Sequence, residues 1–120
     1  MVLDFWATWC KPCLQSLPEL EAIHRKYAPR GVTVVGVSVD SPRNFAKVRP
    51  FAQRLGLTFP VVLDDDARLQ QLFQVRGMPT SVVIAPDGSI VRVKQGYLPG
   101  DDAAIEAALD TLSRPAPDRP

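Results

Sequence analysis

Cys10 and Cys13 are the only cysteines in a chain of 120 residues. They follow the apolar run Val2-Leu3-Asp4-Phe5-Trp6 and the short stretch Ala7-Thr8-Trp9. This order reads as a buried strand, a tight turn and a helix that begins at the pair. A Cys-x-x-Cys beside a βαβ pattern is a redox motif. The helix start carries the chemistry. Unpaired backbone N–H groups and the positive end of the helix dipole lie where the Cys10 sulfur sits. They favour thiolate over thiol and lower the pKa, and the thiolate is the nucleophile. Lys11 adds a nearby positive charge. Cys13, one turn on, is expected to be the more buried thiol. No cysteine is left for a structural disulfide elsewhere.

The length fits one domain, and 46% hydrophobic residues suffice for a real core. Net charge is +1, with acids and bases interspersed along the chain. Without a visible basic stripe, nucleic acid and anionic membrane surfaces are set aside as partners. No apolar run approaches the ~20 residues of a membrane span. No signal peptide is expected ahead of the first strand. A dithiol confined to one motif does not fix the compartment.

Hydrophobic spacing sets the remaining elements. A strand over 2–6 leads to a helix from Cys10 to about Tyr27. Leu14, Leu17, Leu20, Ile23 and Tyr27 face inward; Glu19, Glu21, Arg25 and Lys26 face solvent. Pro18 is expected to kink this helix. Residues 32–39 form a buried strand suited to a parallel sheet. Ser41 is the expected cap of a second helix bearing Phe45, Val48, Phe51 and Leu55, bent or split at Pro50 and ended by Gly56. A short strand at 61–63 and the acids Asp64-Asp65-Asp66 precede a helix with Leu69, Leu72 and Phe73 on one face. Residues 81–85 and 90–94 form a hairpin around Pro86-Asp87-Gly88-Ser89. A last helix is capped by Asp101 or Asp102 and turns Ile105, Ala108, Leu109 and Leu112 inward. Right-handed crossovers give the strand order 61–63, 32–39, 2–6, 81–85, 90–94, with the hairpin antiparallel to the rest. The domain is expected over 1–112, with a disordered Pro-rich tail at 113–120.

Asp4 stands alone in an apolar strand, where an unpaired carboxylate is costly. It is expected to be buried with a raised pKa. Zinc is a poor fit for the cysteine pair: structural sites want four ligands, and the only other strong nitrogen ligand, His24, lies well beyond the turn that holds the thiols. His24 reads as a solvated helix residue. Asp40 ends a strand, and capping by Ser41 accounts for that corner, so Asp40 is left out of the site.

The run Asp4-Phe5-Trp6-Ala7-x-Trp9-Cys10-x-Pro12-Cys13 resembles the active-site signature of thioredoxins, and Phe-Trp-Ala-Thr-Trp-Cys-x-Pro-Cys is most similar to the TlpA-like branch. The resemblance implies an α/β thioredoxin-like fold, a mixed central sheet flanked by helices, with the TlpA-like central insertion around 41–63. Family members carry one or more strands before the active-site strand, so a truncated N-terminus is expected here. The implied activity is thiol–disulfide exchange: Cys10 attacks a protein disulfide, Cys13 resolves the mixed disulfide, and the direction is reductive. Asp4 matches the buried acid implicated in proton transfer to the resolving cysteine. Gly77-Met78-Pro79-Thr80 matches the family's cis-proline loop, which leaves the Met78 backbone free to pair with an extended client segment. Trp9 joins Met78 and Pro79 as a client-contact residue, Trp6 packs under the loop, and Lys11 and Pro12 tune the thiol.

The resemblance further implies no cofactor beyond the Cys10–Cys13 disulfide, no metal, and a monomer. Its partners would be a disulfide-containing client and an upstream electron-donor dithiol protein, soluble or membrane-bound. Its place would be periplasmic or otherwise extracytoplasmic, with or without a membrane anchor in the full-length protein, a cytoplasmic one being the alternative. The rival readings are a peroxiredoxin-like thiol peroxidase, which shares the fold but lacks the W-C-x-P-C arrangement, and a non-catalytic metal carrier. A dedicated cytochrome c maturation reductant is a narrower one; it would have Glu where Thr80 stands.

Overall fold

The computed structural model describes residues 1–113, so the tail expected from residue 113 lies outside the described residues except for Ser113, which ends the last helix. Five strands, β1 (Val2–Trp6), β2 (Val34–Ser38), β3 (Val61–Leu63), β4 (Thr80–Ile84) and β5 (Ile90–Gln95), form one sheet in the order β3-β2-β1-β4-β5. β1 pairs parallel with β2 and antiparallel with β4. It is therefore the central strand, and its buried side chains on both faces explain its near-continuous apolar run. β3 runs parallel to β2, and β5 antiparallel to β4.

Alternation along β1 divides the core in two. Val2 and Trp6 join the larger cluster, which takes in Leu17, Leu20, Ile23 and Tyr27 of α1 (Lys11–Tyr27). Val48 and Ala52 of α2 (Phe45–Arg54) and Ile105 and Leu109 of α4 (Asp101–Ser113) belong to it as well. Phe5 faces the other way, with Val37 and Val82, under Leu69 and Phe73 at α3 (Arg68–Leu72).

Several local expectations are corrected. Pro50 does not split α2, and α1 runs through Pro18 as a single helix. Both prolines are exposed, so a carbonyl each leaves unpaired can be met by water. Ser41 makes no capping bond; a turn of 3-10 helix at Pro42–Asn44 leads into α2 instead. Gly56 does stop α2, donating to Gln53 O while Leu57 donates to Ala52 O. Leu72 is 71% exposed, because α3 has only five residues and Leu69 and Phe73 already take its inward face. Asp64 caps α3, accepting from the N–H groups of Leu69 and Gln70. Asp101 instead turns its carboxylate back to Leu98 N–H and Lys94.

Glu21 is buried rather than solvated, accepting from Thr58 N–H at 2.7 Å, Thr58 Oγ1 at 2.6 Å and Arg25 Nε at 2.6 Å. Burial pushes its pKa up, but these donors outweigh burial and hold it below the ordinary range. The carboxylate thus ties α1 to the segment before β3. His24 is half-buried, its ring edge-on to Phe59 at 6.0 Å.

Gly36 of β2 lies where the rings of Phe59 and Trp6 cross the sheet. A Cβ there would meet Phe59 Cε1 at 2.8 Å and Trp6 Nε1 at 3.0 Å. Gly36→Ala is expected to lower stability by about 1–3 kcal/mol, the usual cost of overpacking. Urea unfolding checks this, and an unchanged midpoint would show that the rings move aside freely.

Candidate redox site

β1 ends at Trp6, and the chain turns through Ala7-Thr8-Trp9 before α1 begins. Cys10 is the N-cap of α1, with extended backbone, and its sulfur accepts a hydrogen bond from Cys13 N–H at 3.3 Å. Lys11 and Pro12 occupy the first two helical positions, where a missing N–H costs nothing, since it would have no helical partner. His24, Arg25 and Lys26 in the last turn suit the negative end of the same dipole. Cys10 and Cys13 are joined by a disulfide. Cys13 is fully buried and Cys10 is 5% exposed, so Cys10 is the residue of the pair that solvent can reach. Lys11 is exposed and Trp9 is 63% exposed beside it.

The Met78-Pro79 bond is cis. Met78 packs against the cluster that holds both cysteines. Among the described residues its backbone N–H and C=O have no hydrogen-bond partner, whereas Pro79 C=O accepts from Gly96 N–H at 2.7 Å. Trp6 is fully buried and stacks on Phe51 of α2, with ring centroids 6.2 Å apart.

Asp4 lies between Gly36 of β2 and Ser81 of β4 in the sheet. It is buried, and Ser81 Oγ donates to its Oδ1 at 2.8 Å. Its other oxygen has no partner. Burial drives its pKa from 3.8 up to about 7, against the smaller opposing pull of Ser81. Asp4 lines a small, partly open cavity of about 30 Å³ with Ser16 and Leu20 of α1, Pro79, and Lys94 of β5. That is room for one or two water molecules. Ser16 Oγ donates to Cys13 O at 3.0 Å, so the cavity wall adjoins the turn that carries the second cysteine.

Asp40 belongs with these residues, although the sequence reading set it aside. Its buried carboxylate accepts from Thr8 Oγ1 at 2.6 Å, Thr8 N–H at 3.1 Å and Ser38 Oγ at 2.7 Å. It fastens the loop immediately before Trp9 and Cys10. The signal was available in the parallel register: Trp6 pairs with Ser38, so the residue two past each strand end meets the other.

Residues 1–93 match the AhpC/TSA family. The chain belongs to that family. It is 34% identical over 110 residues to the thiol-disulfide oxidoreductase ResA of Geobacillus kaustophilus, covering 92% of this chain and 61% of that protein. To ResA of Bacillus subtilis it is 35% identical over 96 residues, covering 80% of this chain and 52% of that protein. The chain thus spans about half to three fifths of the length of these relatives. Among solved structures, a Chlorobium tepidum protein assigned as the thiol:disulfide interchange protein DsbE superposes with a TM-score of 0.85 at 33% identity, over 93% of this chain and 78% of that one. StoA of Bacillus subtilis gives 0.75 at 29% identity, over 88% and 80%. The thioredoxin-like, TlpA-like reading of the motif agrees with these likenesses.

The Asp4 environment sets a pH dependence. Below pH 3.8 the carboxyl is protonated whether the chain is folded or not. Between 3.8 and about 7 the folded state holds a proton that the unfolded state has released, so stability falls as pH rises through this window. Above it the full penalty stands, at most about 4 kcal/mol at 1.36 kcal/mol per pH unit. Asp4→Asn in the oxidised protein is therefore expected to be the more stable form at pH 8, with the advantage gone at pH 3.5. Denaturant curves at the two pH values check this; a difference of the same size at both would remove the charge as its cause.

Proposed function

We propose that this chain is the catalytic domain of a thiol–disulfide oxidoreductase that reduces disulfides in client proteins. The observation that carries the reading is the Cys10 sulfur at the start of α1, accepting the Cys13 N–H while bonded to the Cys13 sulfur. Once the pair is reduced, the same N–H and the helix dipole favour the Cys10 thiolate. That thiolate attacks one sulfur of a client disulfide. A Cys10–client disulfide forms, and the other client sulfur leaves as a thiolate. Cys13 then attacks the Cys10 sulfur, closes the internal disulfide and releases the second client thiolate. The client gains two electrons, and with two protons it becomes a dithiol. An upstream dithiol donor must return the electrons for each further turnover.

Asp4 serves the second half of this cycle as the acceptor of the Cys13 proton through the cavity beside Ser16. A carboxyl titrating near 7 can both take and return a proton at neutral pH. Met78 offers its unpaired backbone groups to an extended client segment, in the manner of an added strand. Trp9 presents exposed apolar surface next to the reactive sulfur. Lys11 and Pro12 tune the pair from the first helical turn. The disulfide itself is the redox centre, with no further cofactor. A pneumococcal structural relative, 28% identical, is an exposed lipoprotein thioredoxin. We place this domain outside the cytoplasm likewise, as a monomer.

The test is insulin reduction with dithiothreitol as electron source. The parent chain is expected to accelerate it, and Cys10→Ser to abolish the acceleration. Cys13→Ser should accumulate a disulfide-linked client adduct on a non-reducing gel that reductant dissolves. Full activity in the Cys10→Ser protein, or faster consumption of hydrogen peroxide than of any disulfide, would overturn the assignment.

A further inference from the structure

Beside the redox pair lies an open groove of about 750 Å³ that the exchange chemistry does not itself require. One wall is the active-site loop at Thr8 and Trp9. The other is α2, through Ala46, Lys47, Pro50, Phe51, Gln53 and Arg54. Lys47, Pro50, Phe51 and Arg54 are spaced i, i+3, i+4 and i+7, one continuous stripe of a helix. The floor of the groove is firm: Phe51 stacks on the buried Trp6, and the Arg54 guanidinium lies 5.7 Å from the Phe51 ring centre.

Charge is distributed unevenly around this groove. From Ser41 to Leu63 the chain holds Arg43, Lys47, Arg49 and Arg54 and no Asp or Glu, although the whole chain carries a net charge of only +1. Arg25, Lys26, Arg30 and Lys94 are each matched to a carboxylate elsewhere on the molecule. Among the described residues, Arg43, Lys47, Arg49 and Arg54 have no ion pair, and all four are exposed. Asp40, the acid bonded to the groove residue Thr8, is buried and spends its oxygens on Thr8 and Ser38. Of the four unpaired cations, Lys47 and Arg54 line the aromatic-floored groove, whose far edge, Trp9, precedes Cys10.

Given the oxidoreductase reading above, we propose that this groove is a client-docking site that selects an extended, acidic protein segment next to the disulfide to be reduced. A segment with an apolar residue over Phe51 and Trp9 and Asp or Glu on either side would meet Lys47 and Arg54 at the groove edge. Such complementarity acts mainly on encounter and binding, and salt weakens it. The selection should therefore appear in KM rather than kcat.

The experiment uses two synthetic peptides with the same disulfide loop, one flanked by three Glu and the other by three Lys, and a small uncharged disulfide. At low ionic strength the Glu-flanked peptide is expected to have about tenfold higher kcat/KM, carried by KM, with the gap shrinking at 0.5 M NaCl. The double variant K47E/R54E should erase or invert the gap. The variant R68E/R92E makes the same change in net charge away from the groove and should preserve it. Equal rates for the two peptides, or a gap that R68E/R92E removes as fully as K47E/R54E, would overturn the groove while leaving the oxidoreductase standing. Failure to reduce either peptide and the uncharged disulfide would overturn both. Equal peptide rates together with sedimentation on phosphatidylglycerol vesicles, lost in K47E/R54E, would reassign the basic face to a membrane surface and overturn the client proposal.

Discussion

The position of one helix start governs this molecule. α1 starts directly after Cys10, whose sulfur accepts the Cys13 N–H, and the three residues before Cys10 set where that start lies. Two forces fix them. Trp6 is sunk into the core against Phe51, and the Asp40 carboxylate holds Thr8 by both its N–H and its hydroxyl. A looser loop would let the first turn fray, and the Cys13 N–H would no longer point at the Cys10 sulfur. The geometry of the pair is therefore tied to a carboxylate two residues past the end of the neighbouring parallel strand, 30 positions further along the sequence.

Three buried acids show how the same side chain is used in different ways. Glu21 and Asp40 are each met by three donors, so their burial is compensated and they act as fasteners. Asp4 has one donor and one unpartnered oxygen, and it faces a cavity. Burial, opposed only by the Ser81 hydrogen bond, is what raises the Asp4 pKa to about 7, whereas the donors around Glu21 hold that carboxylate below the ordinary range.

Much of the fold was legible because burial on both faces leaves continuous apolar runs, as at 2–6 and 34–38, and because right-handed crossovers leave few strand orders. The cysteine pair, Asp4 and the Met78-Pro79 loop were legible for a chemical reason or through family resemblance. What escaped depends on partners distant in sequence. Glu21 looks solvated on a helical wheel, since nothing local reveals that Thr58 lies over it. Asp40 looks like a strand end until the register of β1 and β2 brings it to Thr8. The basic face of α2 was hidden for another reason. Read along the chain its cations are spread out, and only helical geometry lines up Lys47 with Arg54. Leu72 misled in the opposite sense, because periodicity alone does not tell how short a helix will be.

The central position of β1 has a consequence for synthesis. β1 must pair with residues 34–38 on one side and with 80–83 on the other, and its second partner is made long after the first. Until the second partner emerges, β1 has one open edge and an apolar face that no finished layer covers. A nascent chain halted before residue 80 would therefore be a sticky, incomplete sheet and a target for holding chaperones, and Cys10 and Cys13 would already be out in solution with no folded helix start to hold them.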